Sequence, residues 1–370
     1  MPHKPRATVP HLALFTPRPL AARRSEPSLI DVALDAAQRT AVERAPGRAL
    51  LVLGEAGHGK TTVALHRVAH LWSASPTPLR AAVVVPTEGL ARMLQPLLRR
   101  LGVDVEALAY DRWAGALARR AFRRLPQESD ATPPSVMRLK RHPALRLALE
   151  ELATREAGRI DDDRDAPART PARVTRGDLQ HLFGDGALLE RVARAGTLPQ
   201  LCVSDTLERT RVQFSPTGEE EWAHVTDRQR LVAVDHRALD EATATELART
   251  VDVEDYAVLF ELDRLRAAVR TEPAFASKVP YDVLMIDEAQ ELAPLELALL
   301  GRTVKAGGTL IVAGDAHQQT DPSSVFGGWE GTMRELGFPD HDTVQLEIGY
   351  RCPPDVVALA RTILEPAPAP

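Results

Sequence analysis

The stretch that most constrains the fold is LLVLGEAGHGKTTVALHRVAHL, Leu50 to Leu71. An apolar run, Ala49–Leu53, stops at Gly54-Glu-Ala-Gly-His-Gly-Lys60-Thr61, and a helix-forming Val/Ala/Leu stretch follows at once. Gly57 and Gly59 permit backbone conformations that a Cβ forbids. Consecutive N–H groups can therefore turn inward at a helix N-terminus and cradle phosphate oxygens. The segment matches G-x-x-x-x-G-K-[ST] in full, in the strand–loop–helix setting the motif requires. Lys60 is expected to reach the β- and γ-phosphates of a nucleotide and Thr61 to ligate Mg²⁺, with Gly54, Gly57, Gly59 and Thr62 completing the cradle. His58 fills a free position of the motif, where a solvent-facing loop residue is expected rather than a catalytic one.

A phosphate loop of this kind calls for carboxylates at the end of a second strand, and YDVLMIDEAQEL supplies them. Asp287 ends an apolar run, where it can hold the Mg²⁺ shell, and Glu288 beside it can orient and deprotonate an attacking water. Further apolar runs at Ala82–Val85, Leu310–Ala313 and Val344–Leu346 also precede Gly, polar or acidic residues. That pattern predicts an α/β fold, a parallel sheet with ligand groups at its strand ends.

Between Ala82–Val85 and Val283–Ile286 the sequence changes character. Arginine-rich helical segments, the turn-rich IDDDRDAPARTPAR (Ile160–Arg173) and an acidic region follow one another, which reads as a mostly helical insertion over 111–277 flanked by the two parts of the sheet domain, 29–110 and 278–365. Residues 1–28 are Pro- and Arg-rich and nearly free of acids, which reads as a flexible arm, with a transit peptide as the alternative. Two cysteines, Cys202 and Cys352, stand in no metal-ligand spacing, and no apolar run is long enough to span a membrane; a cytoplasmic protein with no membrane partner is expected.

The net charge of -5 carries no global hint of nucleic-acid binding. Its distribution is more telling. Arg112, Arg119, Arg120, Arg123, Arg124, Arg138, Lys140, Arg141 and Arg146 face only Glu128 and Asp130 in the same stretch, while acids dominate 219–263. The basic cluster is either a solvated helix face or a track for single-stranded DNA. The helix RWAGALARRAFRRL, Arg112–Leu125, sets Trp113, Leu117 and Ala121 on one stripe.

With DEAQ following the second apolar strand, the chain resembles superfamily 1 DNA helicases of the UvrD/Rep type, in particular their HelD (helicase IV) branch. LDAAQRTAVE resembles the Q motif, which implies that Gln38 reads an adenine edge, although a surface glutamine on an amphipathic helix is the plainer alternative. VVVPTEGLARML resembles motif Ia and implies that Thr87 contacts a single-stranded backbone. LIVAGDAHQQTDP resembles motif III, with Gln318 coupling the γ-phosphate to the nucleic-acid site. LEIGYRCPPDVVALA resembles motif IV, with Tyr350 stacking on the base and Arg351 approaching the γ-phosphate; a simple strand-end turn is the alternative there. The resemblance implies a P-loop NTPase (RecA-like) domain, called 1A, interrupted by a helical domain, 1B, where the insertion lies.

Two departures stand out. The aromatics that follow the motif III glutamine in that family are replaced by QTDP, and Phe326 and Trp329 lie further on, as base stackers or core residues. Beyond Arg351 only a short helix and EPAPAP follow, so a second RecA-like domain is expected to be absent, to come from a separate chain if at all, and autonomous unwinding is not expected. The reading is therefore ATP·Mg²⁺ binding and hydrolysis coupled to single-stranded or forked DNA, as the N-terminal half of such a helicase. The alternative is a truncated or degenerate P-loop ATPase that serves as a regulatory or interaction module.

Overall fold

The five apolar runs become members of one sheet. The computed structural model describes residues 30, 33–122, 124–129, 131–161, 174–216 and 247–350, with 155–161 as helical backbone only. Its strands are β1 (Ala49–Gly54), β2 (Ala81–Val85), β3 (Ala107–Ala109), the two short strands β4 (Gln127–Glu128) and β5 (Thr250–Val251), then β6 (Tyr281–Ile286), β7 (Val304–Gly314) and β8 (Asp342–Leu346). The main sheet runs β3-β2-β6-β7-β1-β8, and every neighbouring pair is parallel. β3 escaped the sequence reading because Ala-Leu-Ala is short and carries no β-branched residue.

Both faces of the sheet are covered, which is why its strands read as continuous apolar runs. The helices are α1 (Ala36–Glu43), α2 (Lys60–Ala74), α3 (Glu88–Arg100), α4 (Tyr110–Ala121), α5 (Pro134–Lys140), α6 (Leu145–Asp161), α7 (Arg176–Phe183), α8 (Gly186–Ala195), α9 (Gln200–Gln213), α10 (Glu254–Val269), α11 (Pro294–Arg302) and α12 (Trp329–Glu335). Along β1 the side chains alternate between the two layers. Leu50 and Val52 pack with Val63 and Val68 of α2 and Leu94 and Leu98 of α3. Ala49 and Leu51 belong to the opposite core, with α4, α10 and α11.

The second core reaches past residue 111, where the insertion is expected to begin. Tyr110, Trp113, Ala114 and Leu117 of α4 are buried in the same cluster as Leu51, Val84 and Leu284, so α4 packs on the sheet although its later turns point into the insertion. The helix ends at Ala121 rather than at Leu125. Among the mostly helical elements of this segment, β4 pairs with β5 in a small parallel sheet. The expected arm 1–28 and most of the acidic region, 217–246, lie outside the described residues.

The insertion is tied together by buried charge. Lys140 Nζ donates to Asp252 Oδ2 at 2.8 Å and to Asp255 Oδ1 at 2.6 Å, and its ammonium lies 4.7 Å from the centre of the Phe183 ring. Arg209 donates to Asp252 Oδ1 at 2.8 Å, as does Gln213 Nε2 at 2.9 Å. Burial opposes the charge on Asp252, but Lys140 and Arg209 together hold its carboxyl below the usual range. These contacts fasten α5, α9 and α10 around β5.

Removing one partner of such a network leaves a buried charge uncompensated. Lys140→Ala should therefore lower unfolding stability by about 3–5 kcal/mol, read from denaturant titration followed by circular dichroism. A loss below about 1 kcal/mol, the scale of a surface pair, would show that the cluster does not hold the insertion together.

Candidate functional site

Parallel strands deliver their C-terminal ends, and the loops that follow them, to one edge of the sheet. β1 runs into the Gly54–Thr61 loop. Gly57 and Gly59 both adopt left-handed backbone, φ 81° and 84°, and a Cβ on Gly59 would stand 2.8 Å from Gln38 Nε2. Two independent reasons thus demand glycine there. α2 begins at Lys60, whose Nζ donates to Gly54 O at 2.8 Å and Glu55 O at 3.1 Å and lies 3.5 Å from Asp315 Oδ2. Thr61 Oγ1 donates to Asp287 Oδ2 at 2.8 Å. The first helical turn after β1 and the end of β6 are thereby locked together.

Asp287 is buried, and its Oδ1 has no hydrogen-bond partner. Burial, reinforced by the neighbouring charge of Glu288, pushes its carboxyl up to about 7. An orphaned carboxylate oxygen beside a threonine hydroxyl is a pair of hard oxygen donors suited to a divalent cation, so these residues fit the Mg²⁺ that the loop motif implies. Glu288 is held at φ 52°, a left-handed conformation uncommon for a side chain of its size. That turn aims the two carboxylates differently: Asp287 inward, and Glu288 along the cleft walls.

Asp315, at the end of β7, is the centre that the sequence reading missed. Besides facing Lys60, its Oδ2 accepts from Gln318 Nε2 at 2.6 Å. Its N–H donates to Gln290 Oε1 at 3.2 Å, while Gln290 Nε2 donates to Glu288 Oε2 at 2.7 Å. Lys60, Asp315, Gln318, Gln290 and Glu288 form one connected set. The signal was present in the sequence, because LIVAGD ends an apolar strand in an acid as LMID does.

The Q-motif helix closes the other side. Gln38 is buried and completes a capping box with Asp35, its Oε1 accepting from Asp35 N at 3.2 Å, and its Nε2 donates to His58 O at 3.4 Å. Arg67 of α2, fully buried, donates to Ala41, Val42, Arg44 and Ala45 carbonyls and so caps the C-terminus of α1. Tyr350 is 46 % exposed, its N–H donates to Gly57 O at 3.0 Å and its hydroxyl donates to Asp35 Oδ2 at 2.6 Å. Gln38, Gly57, Gly59, Lys60, Thr61, Thr62, Asp287, Glu288, Gln318 and Tyr350 all line one cavity of about 600 Å³. Gly54 lies just behind it, holding the lysine.

His58 corrects an expectation. It is buried, not solvent-facing, and its Nδ1 donates to Leu346 O at 2.7 Å, pinning the phosphate loop to the end of β8.

The nucleic-acid candidates do not converge. Thr87 N-caps α3, its Oγ1 accepting from Leu90 N at 3.4 Å, and lines a second cleft beside the first. Arg119, Arg120 and Arg124 are exposed, whereas Arg123 and Arg351 lie outside the described residues. Trp329 is half-buried against the core, in edge contact with Phe326 at 5.0 Å between centroids. Much of the basic cluster turns inward: Lys140 as above, Arg146 onto Glu335 at 2.5 Å, and Arg141 onto Glu296 at 3.0 Å, Ser323 at 2.7 Å, Glu291 O at 2.8 Å and Asp321. These three side chains find carboxylates far along the chain, whereas Arg112, Arg119, Arg120, Arg124 and Arg138 stay exposed.

If the loop holds a triphosphate, Lys60→Ala should weaken its binding about 10- to 100-fold, the value of a hydrogen bond to a charged group. Titration with a fluorescent nucleoside triphosphate measures this. Unchanged affinity would remove Lys60 from the site.

Across these residues the sequence model of the AAA domain family matches the chain, from residue 38 to residue 323. No curated protein matches it. The match begins at the capping glutamine, takes in both strand-end acid motifs and the inserted segment, and spans most of the chain: the protein belongs to the AAA domain family, as a nucleotide-binding P-loop domain of the kind found in UvrD/Rep-type helicases.

Proposed function

We propose that the chain binds ATP·Mg²⁺ and hydrolyses the γ-phosphate, as the N-terminal half of a DNA helicase of the UvrD/Rep type and its HelD-like branch, with single-stranded or forked DNA as partner. The observation that carries the ATPase part is the Thr61–Asp287 hydrogen bond at 2.8 Å with Lys60 on one side and Glu288 on the other. Two strand ends, those of β1 and β6, supply cation, metal ligands and base within one cavity.

Lys60, released from the Gly54 and Glu55 carbonyls, would donate to the β- and γ-phosphates, with the loop N–H groups cradling the remaining oxygens. Thr61 and Asp287 would hold Mg²⁺, which supplies charge neutralisation on the phosphate oxygens. Gln290 fixes one oxygen of Glu288, and the other is left to accept a proton from the attacking water. Gln318 shares Asp315 with Lys60, so a change at the γ-phosphate is felt in the loop after β7. Gln38 and Tyr350 border the same cavity and suit an adenine edge and face. Arg351 would approach the γ-phosphate.

One observation favours the second reading, a nucleotide-binding module that regulates or interacts without acting on nucleic acid. Lys140, Arg141 and Arg146 are neutralised by buried or half-buried carboxylates, which leaves Arg119, Arg120, Arg124 and Arg138, with Arg112 beside the exposed Glu106, among the described members of the cluster to meet a phosphate backbone.

Glu288→Gln should retain nucleotide affinity and lose about 10²- to 10⁴-fold in hydrolysis rate, the usual worth of a positioned base. Phosphate release at saturating ATP reads it, and equal rates in the two proteins would refute the role of Glu288. For the nucleic-acid part, single-stranded DNA should stimulate hydrolysis. Replacing Arg119, Arg120 and Arg124 by alanine should then reduce the salt slope of DNA affinity by up to about 2, at about 0.7 per phosphate contact. Absent stimulation together with an unchanged slope would leave the regulatory module as the function.

A further inference from the structure

Beside the nucleotide cavity a cleft of about 680 Å³ separates the strand ends from the insertion. Its walls carry seven carboxylates against one described cation, Arg141. Arg141 is already committed to Glu296 and Asp321. At the insertion end, Asp111 at the start of α4, Glu128 on β4 and Glu254 at the start of α10 form no ion pair with any described residue. Glu128 accepts only from Tyr256 Oη, at 3.0 Å, and Glu254 from Thr132 Oγ1, at 2.9 Å.

A second, independent feature points into the same space. Tyr110 lines the cleft, is 2 % exposed, and its hydroxyl has no hydrogen-bond partner. The charged groups acting on that phenol are first of all Glu296 and Asp111, then Arg141 and Arg302, and the first three line the cleft. A buried hydroxyl without a partner costs about 1–3 kcal/mol, which a ligand donating to its oxygen would recover.

The chemistry of the walls selects among ligands. A phosphate backbone would meet carboxylates on both sides. A single metal ion is not matched either, because among the described residues no three acidic, His or Cys side chains converge on one coordination point. The acceptors are instead spread along the cleft, a distribution that suits a cation with several N–H donors on an extended or planar frame.

We propose that the insertion end of this cleft is a binding site for a multi-donor organic cation, an oligoamine or a guanidinium group, which donates to Asp111, Glu128, Glu254 and the Tyr110 hydroxyl oxygen. The site is separate from the nucleotide cavity and does not depend on ATP binding. The electrostatics of the walls favour a cationic ligand. Desolvation, with Glu296 and Glu128 adding to it and Arg141 and a backbone hydrogen bond opposing, pushes Asp111 up to about 6. Burial also pushes Glu254 up to about 7, with Asp252 adding to it and Lys140 and the Thr132 hydroxyl opposing. A bound cation favours both ionised forms, so binding should release protons and tighten between pH 6 and pH 8.

Calorimetric titration of the full chain without nucleotide, at physiological salt, tests the site with two probes: spermidine and a blocked Gly-Arg-Gly tripeptide. Saturable binding of spermidine alone assigns a free polyamine, of the tripeptide alone an arginine side chain from a partner, and of both the shared chemistry. Glu128→Gln combined with Asp111→Asn should weaken that binding at least about tenfold, a difference of about 1.4 kcal/mol. Tyr110→Phe should weaken it severalfold without lowering the melting temperature. The exposed control Glu330→Gln and the phosphate-loop variant Lys60→Ala should leave it unchanged. The proposal is overturned if neither probe saturates by millimolar concentration, or if the control Glu330→Gln weakens binding as much as the cleft variant. It is equally overturned if the cleft variant binds single-stranded oligonucleotide less well while its affinity for both probes is unchanged.

Discussion

Everything at the functional edge depends on compensating charge that has been taken out of water. Lys60 and Asp315 are each 6 % exposed and 3.5 Å apart, and Asp287 is buried a few residues away in space with one carboxylate oxygen unpaired. An isolated buried charge is costly, so each group needs the others or a ligand. The parallel sheet solves the placement problem, because β1, β6 and β7 are hydrogen-bonded neighbours or next-neighbours and end at the same level. Lys60–Asp315 compensate each other, while Asp287 keeps an acceptor in reserve. The unpaired oxygen is what the proposed metal-bound polyphosphate would complete.

The same economy of buried charge governs the insertion and explains its departure from the simplest reading of its composition. Arg141 lies at the end of α5 yet reaches Glu291 O, Glu296, Ser323 and Asp321, which flank the acid motif after β6 and the loop after β7. Glu291 in turn accepts from the N–H groups of Thr320 and Asp321. The insertion therefore grips the two loops that carry Glu288 and Gln318.

Local pattern made the phosphate loop, the Asp287–Glu288 pair and the five long strands legible from sequence alone. In each case the information lies within about ten residues: an apolar run sets a buried strand, and the residue type at its end sets the chemistry. Asp315 carried the same signal and was passed over. β3 carried too little, and His58 misled because a free motif position says nothing of Leu346 O, which approaches it from the end of β8.

The sequence by itself determined the nucleotide-site chemistry, since backbone conformation at Gly57 and Gly59 and the acids at strand ends are local properties of the chain. Tertiary structure alone decided the fate of the basic cluster. Lys140 meets Asp252 across 112 residues, Arg141 meets Asp321 across 180, and Arg146 meets Glu335 across 189. A charge run looks the same in sequence whether it faces water or a distant carboxylate, because the energy that distinguishes them is the desolvation and pairing of partners that only the fold brings together.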